Sequence, residues 1–386
     1  MQKNVIFGTA LLGVACIAMY FALKTPTQLN ETRTLESGKT QTFVVVQLDT
    51  SRLGALTFWN DGIVVGNKRG EIRVFADLQP GSEPRVYQVS PYPITAPVFV
   101  KDGVFYVGDT NGRFFAFDPA IIADRSTDIG VKWSYKTGNQ ITGSAMLCDD
   151  MVIVGSHDYT LYAFDPETGE LKYSVDCNSY INGSPLFYES QHALVFGSCD
   201  GLLRKIDVRT GEVIAEIDFE AMIPETPALF DGVLYLLIAY QGATPDGNDG
   251  QAKGELGAVD AETFELLWRV PTPDMYLTSP YATHEHLFIT DELGKISVHA
   301  RKDGSSLTTL DADEKMTPLQ AGDDSQIYAV SQVGKLYAWQ RENDQWRRSL
   351  LTDLQTDCTL GCRLLGDKLI VVNDNGGLFY YTLSKQ

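Results

Sequence analysis

The sequence predicts an all-β fold, an eight-bladed β-propeller of four-stranded antiparallel blades, and three observations carry that prediction. Short β-type runs end in a polar turn and restart after glycine, as in "FYVGDTNGRFFAFD" and "LVFGSCDGLLRKID". The turn position falls at Gly70, Gly112, Tyr159, Gly201, Gly254, Gly294, Gly334 and Gly376, at spacings of 40 to 53 residues. Four short strands per repeat of about 40 residues is propeller spacing. A second marker keeps phase with the first: a small residue followed by Pro or another small residue, as at Ala96-Pro97, Ser144-Ala145, Ser184-Pro185, Thr226-Pro227 and Ser279-Pro280. Proline is confined to strand edges because it cannot donate to the ladder. Small residues suit the crowded axis, so this segment is the innermost strand, A. The third observation is a strand count. Seven repeats read A, B, C, D, while the last supplies only "CRLLG", "KLIVVN" and "LFYYTL". The unused run "TFVVVQLD", Thr42 to Asp49, is expected to fill the missing outer strand and close the ring.

The N-terminal segments differ from the repeats. Val5 to Leu23 is 19 residues without a charge, flanked by Lys3 and Lys24, long enough to span a bilayer as one hydrophobic helix. Residues 1–24 therefore read as an inner-membrane anchor with the propeller in the periplasm. The alternatives are a cleaved signal, or a lipoprotein processed at Cys16 in "LGVAC", where Gly13 occupies the place expected for Leu. Residues 25–41 hold almost nothing apolar and read as a solvated linker; residues 42–386 form the propeller. A net charge of −19 repels phosphate backbones, so nucleic acid is not an expected partner.

Strand alternation puts the D–A connections and B–C turns on one face. That face carries the longest insertion, Tyr240 to Lys253, whose Asp246, Asn248 and Asp249, with Glu255 beyond, are oxygen ligands without the spacing of a helix–loop–helix calcium site. It also carries apolar residues just before strand A: Tyr92, Tyr180, Met222 and Met275, with Ile141, Ile181, Ile223 and Tyr276 at the next position of their repeats. These either pack each connection against the neighbouring blade or form an apolar ring that grips a partner. Tyr92, Tyr180, Met222, Ile223, Met275 and Tyr276 are the candidate contact residues.

Catalytic signatures are missing. No nucleophile elbow, phosphate loop, dinucleotide glycine pattern or metalloprotease helix appears. "HEH", His284 to His286, falls at an A–B turn and reads as solvated hairpin residues. Cys177 and Cys199 adjoin on one face, so a disulfide between them is expected in an oxidising compartment.

"YAFDPETGEL", "RKIDVRTGEV" and "GAVDAETFELLW" resemble the repeats of quinoprotein-dehydrogenase-like eight-bladed propellers over about residues 42–386. The resemblance implies a Trp packed between blades; that position holds Tyr173 in blade 3 and Trp268 in blade 5. Quinone-using members carry an adjacent Cys-Cys pair and a calcium-binding acid–amide set, neither of which can be placed on this sequence. Neither pyrroloquinoline quinone nor calcium is therefore expected. In layout the chain resembles the non-enzymatic propeller lipoproteins of outer-membrane protein assembly. The resemblance implies a protein-binding scaffold in the bacterial cell envelope, with envelope or membrane proteins as partners. The competing reading is a quinone-dependent or sugar-processing enzyme using the channel.

Overall fold

The computed structural model describes residues 29–34, 40–47, 53–59, 62–75, 84–119, 130–240, 254–272, 278–291, 293–310, 312–319, 321–359, 361–373 and 377–383. Eight antiparallel sheets follow one another. Blade 3 is representative, with strands Met146–Cys148, Met151–Gly155, Thr160–Phe164 and Leu171–Asp176 hydrogen-bonded in chain order. Its two middle strands are apolar on both faces because a neighbouring blade covers each face. Ile153, Val154, Leu161 and Phe164 are all fully buried.

Closure is as the strand count predicts. The strand Thr40–Gln47 pairs with Gly377–Thr382 in blade 8, matching Val45 to Phe379 and Val46 to Leu378. Its bounds lie two residues before those expected. The linker expectation needs a correction: Leu29–Thr34 is a strand, paired antiparallel with Thr40–Gln47, so blade 8 has five strands. The composition of "LNETRT" misled because an outermost strand has no core to face and need not be apolar. The expected hydrophobic helix and anchor, Val5 to Leu23, lie outside the described residues. Among the described residues no helix is long and apolar enough to cross a membrane.

Two devices lock neighbouring blades together among the described residues. In the C–D turn "DPETG", Asp165 accepts the N–H groups of Glu167 (3.0 Å) and Thr168 (2.9 Å), and Gly169 exits with φ 72°. Gly169 is needed for space as well, since a Cβ there would lie 2.5 Å from the Trp133 ring of blade 2. The same fit recurs as Tyr173 under Gly211 and Trp268 under Gly304, so the aromatic does pack between blades. The second device lies on the opposite face. A Cβ on Gly66, Gly108, Gly155 or Gly197, at the end of strand B, would sit 2.2–2.4 Å from a side-chain carbon of Ile94, Ile141, Ile181 or Ile223 in the next connection. Each Ile N–H also bonds the turn carbonyl of the preceding blade, as Ile141 does to Asp109 (3.2 Å).

Candidate partner-binding face

The B–C turns frame this face, and their chemistry repeats. The first turn residue is polar and buried (Asn67, Asp109, Ser156, Ser198, Asp291, Ser331). Its side chain caps the turn; Asp109, for example, accepts the N–H groups of Asn111 and Arg113, each at 2.9 Å. Three residues on, the N–H closes the turn onto that residue's carbonyl, and the backbone enters the left-handed region. Five blades place glycine there: Gly70, Gly112, Gly201, Gly294 and Gly334. Blade 3 places Tyr159, with φ 76°. A side chain in that conformation costs about 1–2 kcal/mol relative to glycine.

Tyr159 gains no burial in return: it is 41% exposed. Its ring meets Tyr180 edge-on at 5.1 Å, and Tyr180, itself 42% exposed, lies 5.1 Å from the His157 ring. His157 is held from behind by Gln140 and Thr142, at 3.0 Å on either ring nitrogen, and burial lowers its pKa. The result is a fixed, exposed aromatic patch, the kind of surface that anchors protein interfaces. Sequence reasoning singled out Tyr180 and passed over Tyr159, although its departure from the glycine pattern was visible.

The other expected residues fall into three groups. Tyr92 is 45% exposed at the junction of blades 1 and 2, its N–H bonded to Ser90 (3.0 Å). Met222 is half-buried and tied by two backbone bonds to Ala239. Ile223 requires correction: it is buried with Ile141 and Ile181, because its side chain fills the space over Gly197. Met275 and Tyr276 lie outside the described residues. Cys177 and Cys199 also require correction, since both are free thiols. Cys177 is buried in the core between blades 3 and 4, whereas Cys199 accepts the Asn182 Nδ2–H (3.4 Å). Burial pushes the Cys177 thiol up to about 11. The "HEH" pair divides: His284 is exposed, but His286 is buried, with Nδ1 3.0 Å from Asp324.

At the axis, blades 3, 4 and 5 bond side by side. Ser144 N–H donates to Ser184 Oγ (2.8 Å), and Ser184 N–H to Thr226 Oγ1 (2.7 Å). A Cβ on Gly143 would lie 2.6 Å from the Gly183 carbonyl oxygen. Glu225 takes the position that Gly143 and Gly183 hold in their blades, and burial pushes its carboxyl up to about 7. Of the calcium candidates, Asp246, Asn248 and Asp249 lie outside the described residues, and Glu255 is engaged by Arg269. Among the described residues no three His, Cys, Asp or Glu side chains gather to hold a metal ion.

The fold and its repeat define a propeller of the PQQ-like repeat class. The family described as "Outer membrane protein assembly factor BamB" matches residues 57–306, and the chain belongs to that family. Among solved structures, the chain is similar to BamB from Moraxella catarrhalis, at 18% identity and TM-score 0.67, covering 89% of this chain and 99% of that one. A computationally designed protein, Ika8, aligns at 18% identity and TM-score 0.68, covering 88% of this chain and 98% of that one. Sqt1 from Saccharomyces cerevisiae aligns at 12% identity and TM-score 0.70, with the same coverage. These likenesses concern the fold alone. No curated protein matches the sequence.

Proposed function

We propose that the protein is a non-enzymatic scaffold of the bacterial cell envelope, serving outer-membrane protein assembly or a related envelope complex. It holds a protein partner through the patch of Tyr159 and Tyr180. One observation carries the reading: an exposed tyrosine occupies a left-handed turn position that five other blades give to glycine. A conformational cost without compensating burial is a mark of display. Family membership supports the envelope setting. In this reading Val5 to Leu23 tether the propeller to the inner membrane, the propeller, with Leu29–Thr34 as its outermost strand, projects into the periplasm, and neither quinone nor calcium takes part.

The test is recovery of envelope proteins from detergent-solubilised cells on wild-type, Tyr159→Gly and Tyr180→Ser baits. Both variants are expected to lose the partner that wild type retains, with melting temperatures within about 2 °C of wild type. Unchanged recovery on both variants overturns the patch. Dehydrogenase activity that appears only with quinone and calcium overturns the scaffold.

A further inference from the structure

The tyrosine patch sits in an acidic arc of its face. The turns and connections of blades 3 and 4, with the entry to blade 5, carry Asp158, Asp176, Asp200, Asp218, Glu220 and Glu225. Arg204 pairs with Asp200 at 2.7 Å. Lys136, at the edge of the arc, donates to the carbonyls of Asn111 and Thr137. Among the described residues, none of the other carboxylates forms an ion pair. Asp176, Asp218 and Glu220 are exposed, while Asp158 and Glu225 are half-buried. His157 adds no positive charge to offset them, because burial lowers its pKa. The turns of blades 1 and 2 are balanced by comparison, with Lys68, Arg69 and Arg113 against Glu71 and Asp109.

Three of these carboxylates lie close to the tyrosines. Asp158 directly precedes Tyr159, and Asp176 pairs across the ladder with Thr160, which directly follows it. Glu225 approaches from the axis. Burial, and then the charges of Asp200 and Glu225, push up the thiol of Cys199, whose N–H donates to the Tyr180 carbonyl (2.9 Å). The chain itself shows what completes such an arrangement. At blade 5, Arg269 lies over the Phe219 ring (5.6 Å) and the Tyr240 ring (5.8 Å) and pairs with Glu255. Two aromatic rings and a carboxylate there enclose a guanidinium. Tyr159 and Tyr180 offer the same rings and carboxylates, but among the described residues no cation lies over either ring.

We infer that the partner held at the tyrosine patch presents a basic segment, with an arginine seated on the Tyr159 and Tyr180 rings and further cations along Asp176, Asp218 and Glu220. This rests on the reading of the patch as the partner site and adds the partner's chemistry. Arginine suits the seat better than lysine, because its planar face stacks on aromatic rings while its edge keeps donors for carboxylates. A single exposed carboxylate gains little from a cation. Several without an internal partner steer a basic surface to this arc and turn an acidic one away.

The probe is a blocked peptide alternating arginine with glycine and serine, titrated by calorimetry into the detergent-solubilised full chain. Two triple variants are compared. Asp176→Asn with Asp218→Asn and Glu220→Gln neutralises the arc, and the amides keep the oxygens that accept from the Thr160 hydroxyl and the Glu220 N–H. Asp150→Asn with Glu212→Gln and Glu265→Gln makes the same change of charge at exposed turns of the opposite face. The arc variant is expected to weaken the peptide about tenfold and the control less than about twofold. Tyr180→Ser is expected to weaken it about fivefold, and lysine for arginine in the peptide about threefold. Equal affinity for the two triple variants, or undiminished affinity for Tyr180→Ser, overturns the basic occupant. Recovery of envelope proteins separates this inference from the patch itself. A protein lost on Tyr159→Gly and Tyr180→Ser but kept on the arc variant leaves the patch standing and overturns its basic occupant. Unchanged recovery on the tyrosine variants overturns both.

Discussion

Replacing Glu225 by glutamine tests whether the axis holds a carboxyl against its preference for charge. Glu225 is half-buried at the start of blade 5, where the matching residues of blades 3 and 4 are glycines. Burial alone pushes its carboxyl from 4.5 up to about 7. Below the lower value both folded and unfolded chains hold the proton, and the residue does not affect stability. Between the two values only the folded chain holds it, so stability falls as pH rises; above about 7 the loss is complete. A shift from 4.5 to about 7 corresponds to about 3 kcal/mol. Water reaching the half-buried group reduces that to about 1–2 kcal/mol. A glutamine side chain keeps the shape without the charge. Urea unfolding of wild type and Glu225→Gln at about pH 5.5 and about pH 8 isolates this group, since other titrations cancel in the difference. Between about pH 5.5 and about pH 8 the variant is expected to gain about 0.5 kcal/mol more over wild type, and the full amount of about 1–2 kcal/mol when the lower reading is taken at about pH 4, below the unfolded value. A difference that is the same at both pH values refutes the reasoning.

Arg204 and Asp200 pair at 2.7 Å with both side chains nearly buried, so Arg204→Leu is expected to cost about 3–5 kcal/mol by chemical denaturation. Burial pushes the Asp200 carboxyl up, but hydrogen bonds from Arg204 and Ser198 outweigh it and hold it down at about 2. The stabilisation is therefore present above the ordinary value of 3.8 and lost as pH falls towards 2, a loss the Arg204→Leu variant does not show. Gly155→Ala places a methyl 2.3 Å from Ile181 Cγ2 and is expected to cost about 1–3 kcal/mol, with Ile181→Val restoring part of it in thermal melts. Thiol titration in denaturant without reductant is expected to find both Cys177 and Cys199 reactive, because both are free.

The repeat made the architecture legible. Glycine at a left-handed turn and small residues at the axis are demands of backbone geometry, and geometry recurs in every blade. Closure was legible for the same reason: a strand was missing and one apolar run was spare. The strand Leu29–Thr34 was not legible, because an outermost strand carries no burial pattern. Ile223 illustrates a different failure. An apolar residue beside an exposed one in a connection gives no direction in sequence; Gly197, which shares its space, lies 26 residues earlier in the chain. Trp133 shows a third. It fills the interblade position in blade 2, but the long stretch before it in that repeat shifts it out of phase with "DPETG".

A repeated fold supplies its own control, since each position is sampled once per blade under nearly the same constraints. A residue that departs from its equivalents and gains stability needs no further account. Tyr159 departs at a conformational cost and stays exposed, and Glu225 departs and gives up an ordinary carboxylate. Neither improves the packing of its own blade. Departures from the repeat, rather than the motif that marks every turn, are therefore where a function peculiar to this chain is to be tested.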